Sequence, residues 1–104
     1  MKKATQRRLE AAGWRVGTVA DFLGLSPEEA QFLEMKLALA RALRERRLSH
    51  GWSQVEVAQR LKSSQSRVAK MEAGDASVSL DLLVRSLLGL GTEPEEVGRA
   101  LGGA

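Results

Sequence analysis

The chain of 104 residues contains no cysteine, which excludes disulfide bonds and thiolate metal sites. Its one histidine, His50, cannot form a zinc site without other strong ligands, and it falls where a helix end would favour a cation. No apolar run approaches the roughly 20 residues of a membrane span. The basic start, MKKATQRRLEAAGW, lacks the apolar segment of a secretory signal. We therefore expect a cytoplasmic protein without a metal, a cofactor or a membrane partner.

The residues that enzymes use for catalysis form no recognisable arrangement in this sequence. No Ser–His–Asp pattern stands out, and GLGTEPEE lacks the Lys-Ser/Thr of a phosphate-binding loop. The adjacent acids Glu28 and Glu29, like Glu95 and Glu96, stand at expected helix starts, where they complement the helix dipole. The sequence therefore predicts a protein that is not an enzyme.

The charges are distributed unevenly along the chain. The sequence is 43% hydrophobic and 28% charged, the balance of an ordinary globular protein. The formal net charge of +3 divides into +6 for residues 1–74 and −3 for residues 75–104. A basic body with an acidic end fits a polyanionic partner such as nucleic acid, although a solvated surface with scattered charges remains the alternative.

The apolar residues recur at helical spacing between glycines, and nothing predicts a strand. Two short helices are expected before Gly24. Ser26, Pro27 and Glu29 suit the N-cap, first and third positions of a long helix that nothing interrupts before about Ser49. The fold class is therefore all-α, with about seven helices.

The apolar residues of the long helix cover more than one stripe, so we expect it to be buried on several sides. These residues are Phe32, Leu33, Met35, Leu37, Leu39, Leu43 and Leu48. Four shorter helices are expected after Gly51, each behind a residue that suits an N-cap. The expected caps are Ser53, Ser63 or Ser64, Ser79 and Thr92.

Residues 53–74, SQVEVAQRLKSSQSRVAKMEAG, contain two short amphipathic helices with little more than Lys62 and Ser63 between them. So short a turn forces the helices to cross steeply, as in a helix-turn-helix. The small side chain of Ala58 suits the crossing point, and Val68 suits the wedge between the helices.

The second of these helices has a polar face that the core does not need. Gln65 can bond adenine with two hydrogen bonds, and Arg67 can bond guanine in the same way. Ser66 and Lys70 suit base edges or phosphates. The alternative is an ordinary solvated helix face, but the short turn and the basic body together favour DNA binding.

This stretch resembles the helix-turn-helix of the Cro/repressor-like, or XRE, family. The matching features are Ser-Gln opening the first helix, the Ala, the Leu before the turn, Ser-Gln-Ser opening the second helix, the Val wedge and Glu-x-Gly at the end. The resemblance covers about residues 39–91 and implies a lambda-repressor-like five-helix DNA-binding domain. It implies a structural pair between Arg47 and Glu72. It also implies DNA-binding roles for Ser53, Gln54, Lys62, Ser64, Gln65, Ser66, Arg67 and Lys70. Gln54 would either bond a phosphate or brace Gln65 at the start of the second helix.

One position departs from this family pattern. Lys62 stands in the turn where the family usually has glycine, because the backbone there has a positive φ. We expect Lys62 to adopt that conformation at some loss of stability and to add a phosphate contact.

The amino-terminal segment resembles the extension of HigA-like antitoxins. The segment is GWRVGTVADFLGLSPEEAQFLEMKLALARALRERR. The resemblance implies a repressor that controls its own operon and neutralises an RNase toxin; the alternative is a regulator with no toxin partner. The expected domains are an extension at 1–26, the DNA-binding domain at 27–92 and a final helix and tail at 93–104. The expected toxin-binding residues are Arg7, Arg8, Trp14, Arg15 and Phe22.

A homodimer that binds a palindromic operator is expected, since one recognition helix reads too few base pairs for useful specificity. The expected interface lies on the last two helices. Its candidate residues are Leu87, Leu88, Leu90, Val97 and Leu101. A protein-interaction module that does not bind DNA is the third hypothesis, which the polar face of the second short helix disfavours.

Overall fold

The computed structural model describes residues 22–102. The expectations for the first 21 residues, which include Arg7, Arg8, Trp14 and Arg15, lie outside the described residues. Over residues 22–102 the regular structure is helical throughout, with no strand, which confirms the all-α prediction. The helices are α1 (Pro27–Ser49), α2 (Gln54–Leu61), α3 (Gln65–Ala73), α4 (Leu80–Gly89) and α5 (Pro94–Leu101).

The chain divides into two units, one ending at Glu34 and one beginning at Met35, and each is described by itself. In the first unit, α1 begins with the predicted capping box. The Glu29 N–H donates to Ser26 Oγ at 3.2 Å, and the Ser26 N–H donates to the Glu29 carboxylate at 2.9 Å. The hydrogen bonds from Ser26 hold the pKa of Glu29 below its ordinary value.

In the second unit, α1 buries a single stripe rather than several sides. The buried residues Lys36, Leu39, Ala40 and Leu43 follow the i, i+3, i+4, i+7 spacing of one helix face. Leu48, off that stripe, is 53% exposed. The described helices of this unit therefore bury one side of α1, and the further cover expected from the amino-terminal helices lies outside the described residues.

The core of the second unit is made by one face of each helix. Its largest fully buried side chains are Leu39, Leu43, Val57, Val68, Met71, Leu83 and Leu87. The apolar residues Leu90 and Val97 are also buried, with only 5% and 6% exposure. The expected dimer interface is thus wrong for Leu87, Leu90 and Val97, since these side chains are already enclosed within one chain. Leu88 remains 45% exposed on α4.

Serine side chains begin the three middle helices, as the sequence predicted. The hydroxyls of Ser53, Ser64 and Ser79 each accept a hydrogen bond from the backbone N–H three residues later. The expected cap at Thr92 is wrong. Pro94 occupies the first position of α5, which places Glu93 at the N-cap and leaves the Thr92 hydroxyl buried without a hydrogen-bond partner.

Within residues 22–102, no helix is both long and apolar enough to cross a membrane. The same range contains no cluster of three or more histidine or acidic side chains that could hold a metal ion.

Candidate nucleic-acid interface

Three residues, Lys62 to Ser64, connect α2 to α3. Lys62 has φ 55° and ψ 47°, and it is the one residue other than glycine with positive φ in residues 22–102. In this left-handed conformation the Ser63 N–H reaches back to the Ala58 carbonyl at 2.8 Å and closes the end of α2. The backbone therefore makes at Lys62 the sharp reversal that the sequence predicted there.

The reversal packs α2 against α3 through small and branched side chains. Val57 and Ala58 of α2 and Val68 and Met71 of α3 are all buried. The small Ala58 side chain allows the two backbones to approach, and Val68 fills the space between them with no exposed surface. The polar face of α3 is consequently held in one orientation by the core beneath it.

The opposite face of α3 is open to solvent. Four of its polar side chains are exposed, namely Gln65, Ser66, Arg67 and Lys70. They share this face with no large apolar residue, so it can meet a polar surface without uncovering the core. The structure thus brings together, on one short helix, the residues that the sequence proposed as base readers.

The N-cap residues Ser64 and Ser53 each cap a helix and leave a hydroxyl hydrogen available for an outside acceptor. The Ser64 hydroxyl accepts from the Arg67 N–H at 3.1 Å, and the Ser53 hydroxyl accepts from the Glu56 N–H at 3.1 Å. Each hydroxyl keeps its own hydrogen free to donate to an outside acceptor. Both lie at helix N-termini, where the backbone dipole favours an anion such as a phosphate.

A chain of hydrogen bonds connects α1 to the first residue of α3. Arg47 Nε and Nη2 donate to the Glu72 carboxylate at 2.6 and 3.0 Å. Gln54 Nε2 donates to Glu72 Oε1 at 3.3 Å, and Gln65 Nε2 donates to Gln54 Oε1 at 2.6 Å. The pair that the family resemblance implied therefore supports the two glutamines.

The side chains of Arg47 and Glu72 are largely buried, with 13% and 5% of their surface exposed. The hydrogen bond with the Glu72 carboxylate raises the pKa of Arg47, so the guanidinium stays charged. Its Nη1 also donates to the Trp52 carbonyl at 3.1 Å. One cation thus connects α1, the residue before the N-cap of α2 and the end of α3.

Two features beside α3 were missed in the sequence. Lys36 of α1 is buried and donates from Nζ to the Asp75 carbonyl at 2.8 Å, just beyond the end of α3. A Cβ built on Gly74 would lie 2.6 Å from Leu37 Cδ2, so α1 closely covers the C-cap of α3. No sequence signal indicated either contact, because a lysine in an amphipathic helix ordinarily faces solvent.

A third feature that was missed in the sequence is an aromatic stack at the start of α2. The rings of His50 and Trp52 stack at 4.4 Å, and the Arg60 guanidinium lies 4.1 Å from the Trp52 ring centre. Trp52 is partly buried and packs against the core there. His50 and Arg60 hold the indole by stacking and cation–π attraction.

The comparisons with known proteins agree with this geometry. Residues 43–97 match a family model of helix-turn-helix domains (HTH_3), which covers more than half of the chain and includes α2 and α3 in full. Searches of curated proteins and of solved structures gave no match. The XRE resemblance seen in the sequence is thereby confirmed at the level of the family. The chain belongs to the XRE-like helix-turn-helix family and is a DNA-binding transcriptional regulator.

Proposed function

We propose that the protein is a sequence-specific repressor that inserts α3 into the major groove of a palindromic operator. The single observation that carries the proposal is the division of α3 into a buried and an exposed face. Val68 and Met71 hold the helix to the core, while the exposed face is polar and carries two cations. A helix that presents such a face beside a short turn fits the width of the major groove.

The position of each side chain supports a role in this proposal. Gln65 and Arg67 lie in the first turn of α3, the part of a recognition helix that reaches base edges. Ser66 and Lys70 stand beside them and can meet bases or phosphates. Residues that would hold the DNA backbone surround the turn and the start of α2. These are Ser53, Gln54, Lys62 and Ser64.

The proposed operator complex contains two copies of the chain. One copy presents a recognition helix of nine residues, which reads only a few base pairs. A two-fold dimer would place two such helices about 34 Å apart, one turn of DNA. Leu88 is a candidate for the interface because it is exposed on α4. Leu88→Glu should leave a folded monomer that no longer protects both half-sites.

Selection of binding sites from random duplex DNA, followed by footprinting, tests the proposal. We expect enrichment of a palindrome whose half-sites are separated by about one helical turn. Recovery of DNA without any shared sequence would show that α3 binds phosphates alone. Sedimentation with and without the selected duplex tests the dimer. A protein that stays monomeric in both states contradicts the proposal that two copies bind the operator.

We infer as a finer function that this repressor is the antitoxin of a toxin–antitoxin pair in the cytoplasm. The support is the sequence resemblance of the amino-terminal segment, together with two exposed apolar side chains within that segment. Phe22 is 86% exposed and Leu23 is 59% exposed, which suits contact with a protein partner. In this proposal residues 1–26 form the toxin-binding extension, 27–92 the DNA-binding domain and 93–104 a final helix and tail.

Co-expression with the neighbouring reading frame tests the antitoxin proposal. If that frame encodes a toxic RNase, the full chain should restore growth, and a chain that begins at Glu28 should still bind the operator but fail to restore growth. Phe22→Ala within the full chain is the smaller change and should weaken rescue while leaving DNA binding intact. A neighbouring frame without toxicity supports the alternative, a regulator with no toxin partner.

A further inference from the structure

In the chain of hydrogen bonds that runs from Arg47 through Glu72 and Gln54 to Gln65, each donor and each acceptor is fixed. The Arg47 guanidinium can only donate, and an ionised Glu72 carboxylate can only accept. Gln54 must therefore turn its NH2 group toward Glu72, as it does at 3.3 Å. Its carbonyl oxygen is left to face Gln65, which must in turn donate, as it does at 2.6 Å. We call Glu72, Gln54 and Gln65 the amide relay.

Burial prevents the relay from reversing. A reversed Gln54 would place its carbonyl oxygen against the Glu72 carboxylate, and two acceptors without a proton between them repel. Glu72 cannot turn away, because Arg47 holds both of its oxygens and only 5% of its side chain is exposed. The orientation of an exposed amide on α3 is thus set by an ion pair in the interior.

The relay determines which groups of Gln65 remain available. One N–H of Gln65 is used on Gln54, which leaves one N–H and the carbonyl oxygen. Adenine offers one acceptor and one donor in the major groove, a match for that pair. Guanine offers two acceptors there, which a side chain with a single free N–H matches poorly.

We propose that Glu72 is a positioning residue for base reading, which acts through Gln54 to make Gln65 select adenine over guanine. The inference rests on the proposed function, since it requires that Gln65 reads a base. Glu72 itself touches no DNA in this scheme. Its charge sets the donor and acceptor pattern that the recognition helix presents.

Two substitutions disturb the relay in different ways. Glu72→Gln keeps the shape but supplies an NH2 group, which allows Gln54 to reverse and leaves both N–H groups of Gln65 free for guanine. Gln54→Ala removes the middle of the relay and keeps the Arg47–Glu72 ion pair, so the fold should keep its stability. Leu83→Ala, in the α4 core, is the control that lowers stability without touching the relay.

The experiment measures the binding of the full chain to duplexes with each base at every operator position. Gln65→Ala first identifies the base pair that Gln65 reads. At that pair we expect adenine to be preferred over guanine by roughly five- to 150-fold, the range of one bidentate contact. Glu72→Gln and Gln54→Ala should each lower this ratio at least about fivefold, while Leu83→Ala should leave it unchanged.

The outcomes distinguish a failure of the amide relay from a failure of base reading by Gln65. If Gln65→Ala removes selectivity at one base pair but Gln54→Ala and Glu72→Gln both keep the ratio within about twofold, the relay is refuted and base reading stands. If Gln65→Ala changes selectivity nowhere, base reading by Gln65 and the relay are both refuted. Should Glu72→Gln fail to fold, Gln54→Ala alone decides between these results.

Discussion

Arg47 and Glu72, 25 residues apart in sequence, are joined by two hydrogen bonds of 2.6 and 3.0 Å in the interior of the helix-turn-helix. The pair fastens the last turn of α3 to α1, and the same guanidinium holds the Trp52 carbonyl before α2. In the proposed function, stability and base reading therefore depend on the same ion pair.

Glu72→Ala should destabilise the fold strongly, since it leaves the Arg47 cation buried without a partner. Breaking a buried pair from one side costs roughly 3–5 kcal/mol, a large part of the stability of a small domain. Urea unfolding measures the loss. Asp81→Ala is the control, because its pair with Arg85 is exposed on α4 and should contribute about 0.5 kcal/mol or less. Equal losses of stability from the two substitutions would show that the Arg47–Glu72 pair contributes no more than an exposed pair.

Lys62→Gly should stabilise the fold and weaken DNA binding. The left-handed conformation costs a residue with a side chain roughly 1–2 kcal/mol, and the extra freedom of glycine in the unfolded chain offsets about half of that gain. Loss of one phosphate contact should reduce the log–log salt slope of binding by about 0.9. Lys62→Ala separates the effects, since it should reduce the slope without the gain in stability. A changed preferred sequence would show that Lys62 contacts bases.

Arg67→Ala should leave the fold intact and reduce operator discrimination. The side chain is exposed in the first turn of α3, and a bidentate contact with a base is worth about 1–3 kcal/mol against the wrong base. Arg85→Ala is the matched control, an exposed arginine on α4. Titrations of operator and random duplexes give the measurement. An equal loss of affinity on both duplexes would assign Arg67 to the phosphates.

Leu87 and Leu88 are neighbours in α4 with opposite surroundings. Leu87 is fully buried, so Leu87→Ala should lower the free energy of unfolding by about 2–5 kcal/mol. Leu88 is 45% exposed, so Leu88→Ala should change that free energy by well under about 1 kcal/mol. Urea unfolding of both variants at low protein concentration checks the contrast. Similar losses would mean that Leu88 is covered in the folded protein.

The pKa of Asp75 is lowered by hydrogen bonds from the Ser77 hydroxyl and backbone N–H, with help from the nearby Lys70 and Lys36 charges. A lowered folded-state pKa stabilises the fold above the ordinary value of 3.8, and this contribution disappears as pH falls through the lowered pKa. Asp75→Asn should therefore be less stable than the natural chain at neutral pH and equally stable in strong acid. Urea midpoints across the acid range measure this. A difference that persists in strong acid would have another origin.

Local signals in the sequence predicted most of the fold. The serine caps and the first residue of α1 each depend on neighbours within four residues. The left-handed conformation of Lys62 was implied by the family resemblance, not by a local signal. The polar face of α3 was predictable for the same reason, since helical spacing fixes which side chains lie together.

Features that depend on distant residues were not predictable in this way. The run LLGL gives no sign that Leu87 and Leu90 are buried and Leu88 is exposed, because several apolar residues compete for one side of α4. The burial of Lys36 requires the Asp75 carbonyl, 39 residues away. The link from Glu72 to Gln54 depends on how α2 crosses α3, which a single sequence does not specify. The link from Gln54 to Gln65 was one of the two roles that the family resemblance implied for Gln54.

The contacts of Lys36 and Leu37 with the end of α3 determine how short a DNA-binding fragment can be. The family match begins at residue 43, after both of these residues. A fragment trimmed to that boundary would lose the ammonium that holds the Asp75 carbonyl and the side chain that covers Gly74. Its recognition helix would fray from the carboxyl end. Fusion proteins and minimal fragments of this regulator should therefore begin upstream of Lys36, at least about two turns of α1 before the boundary of the family match.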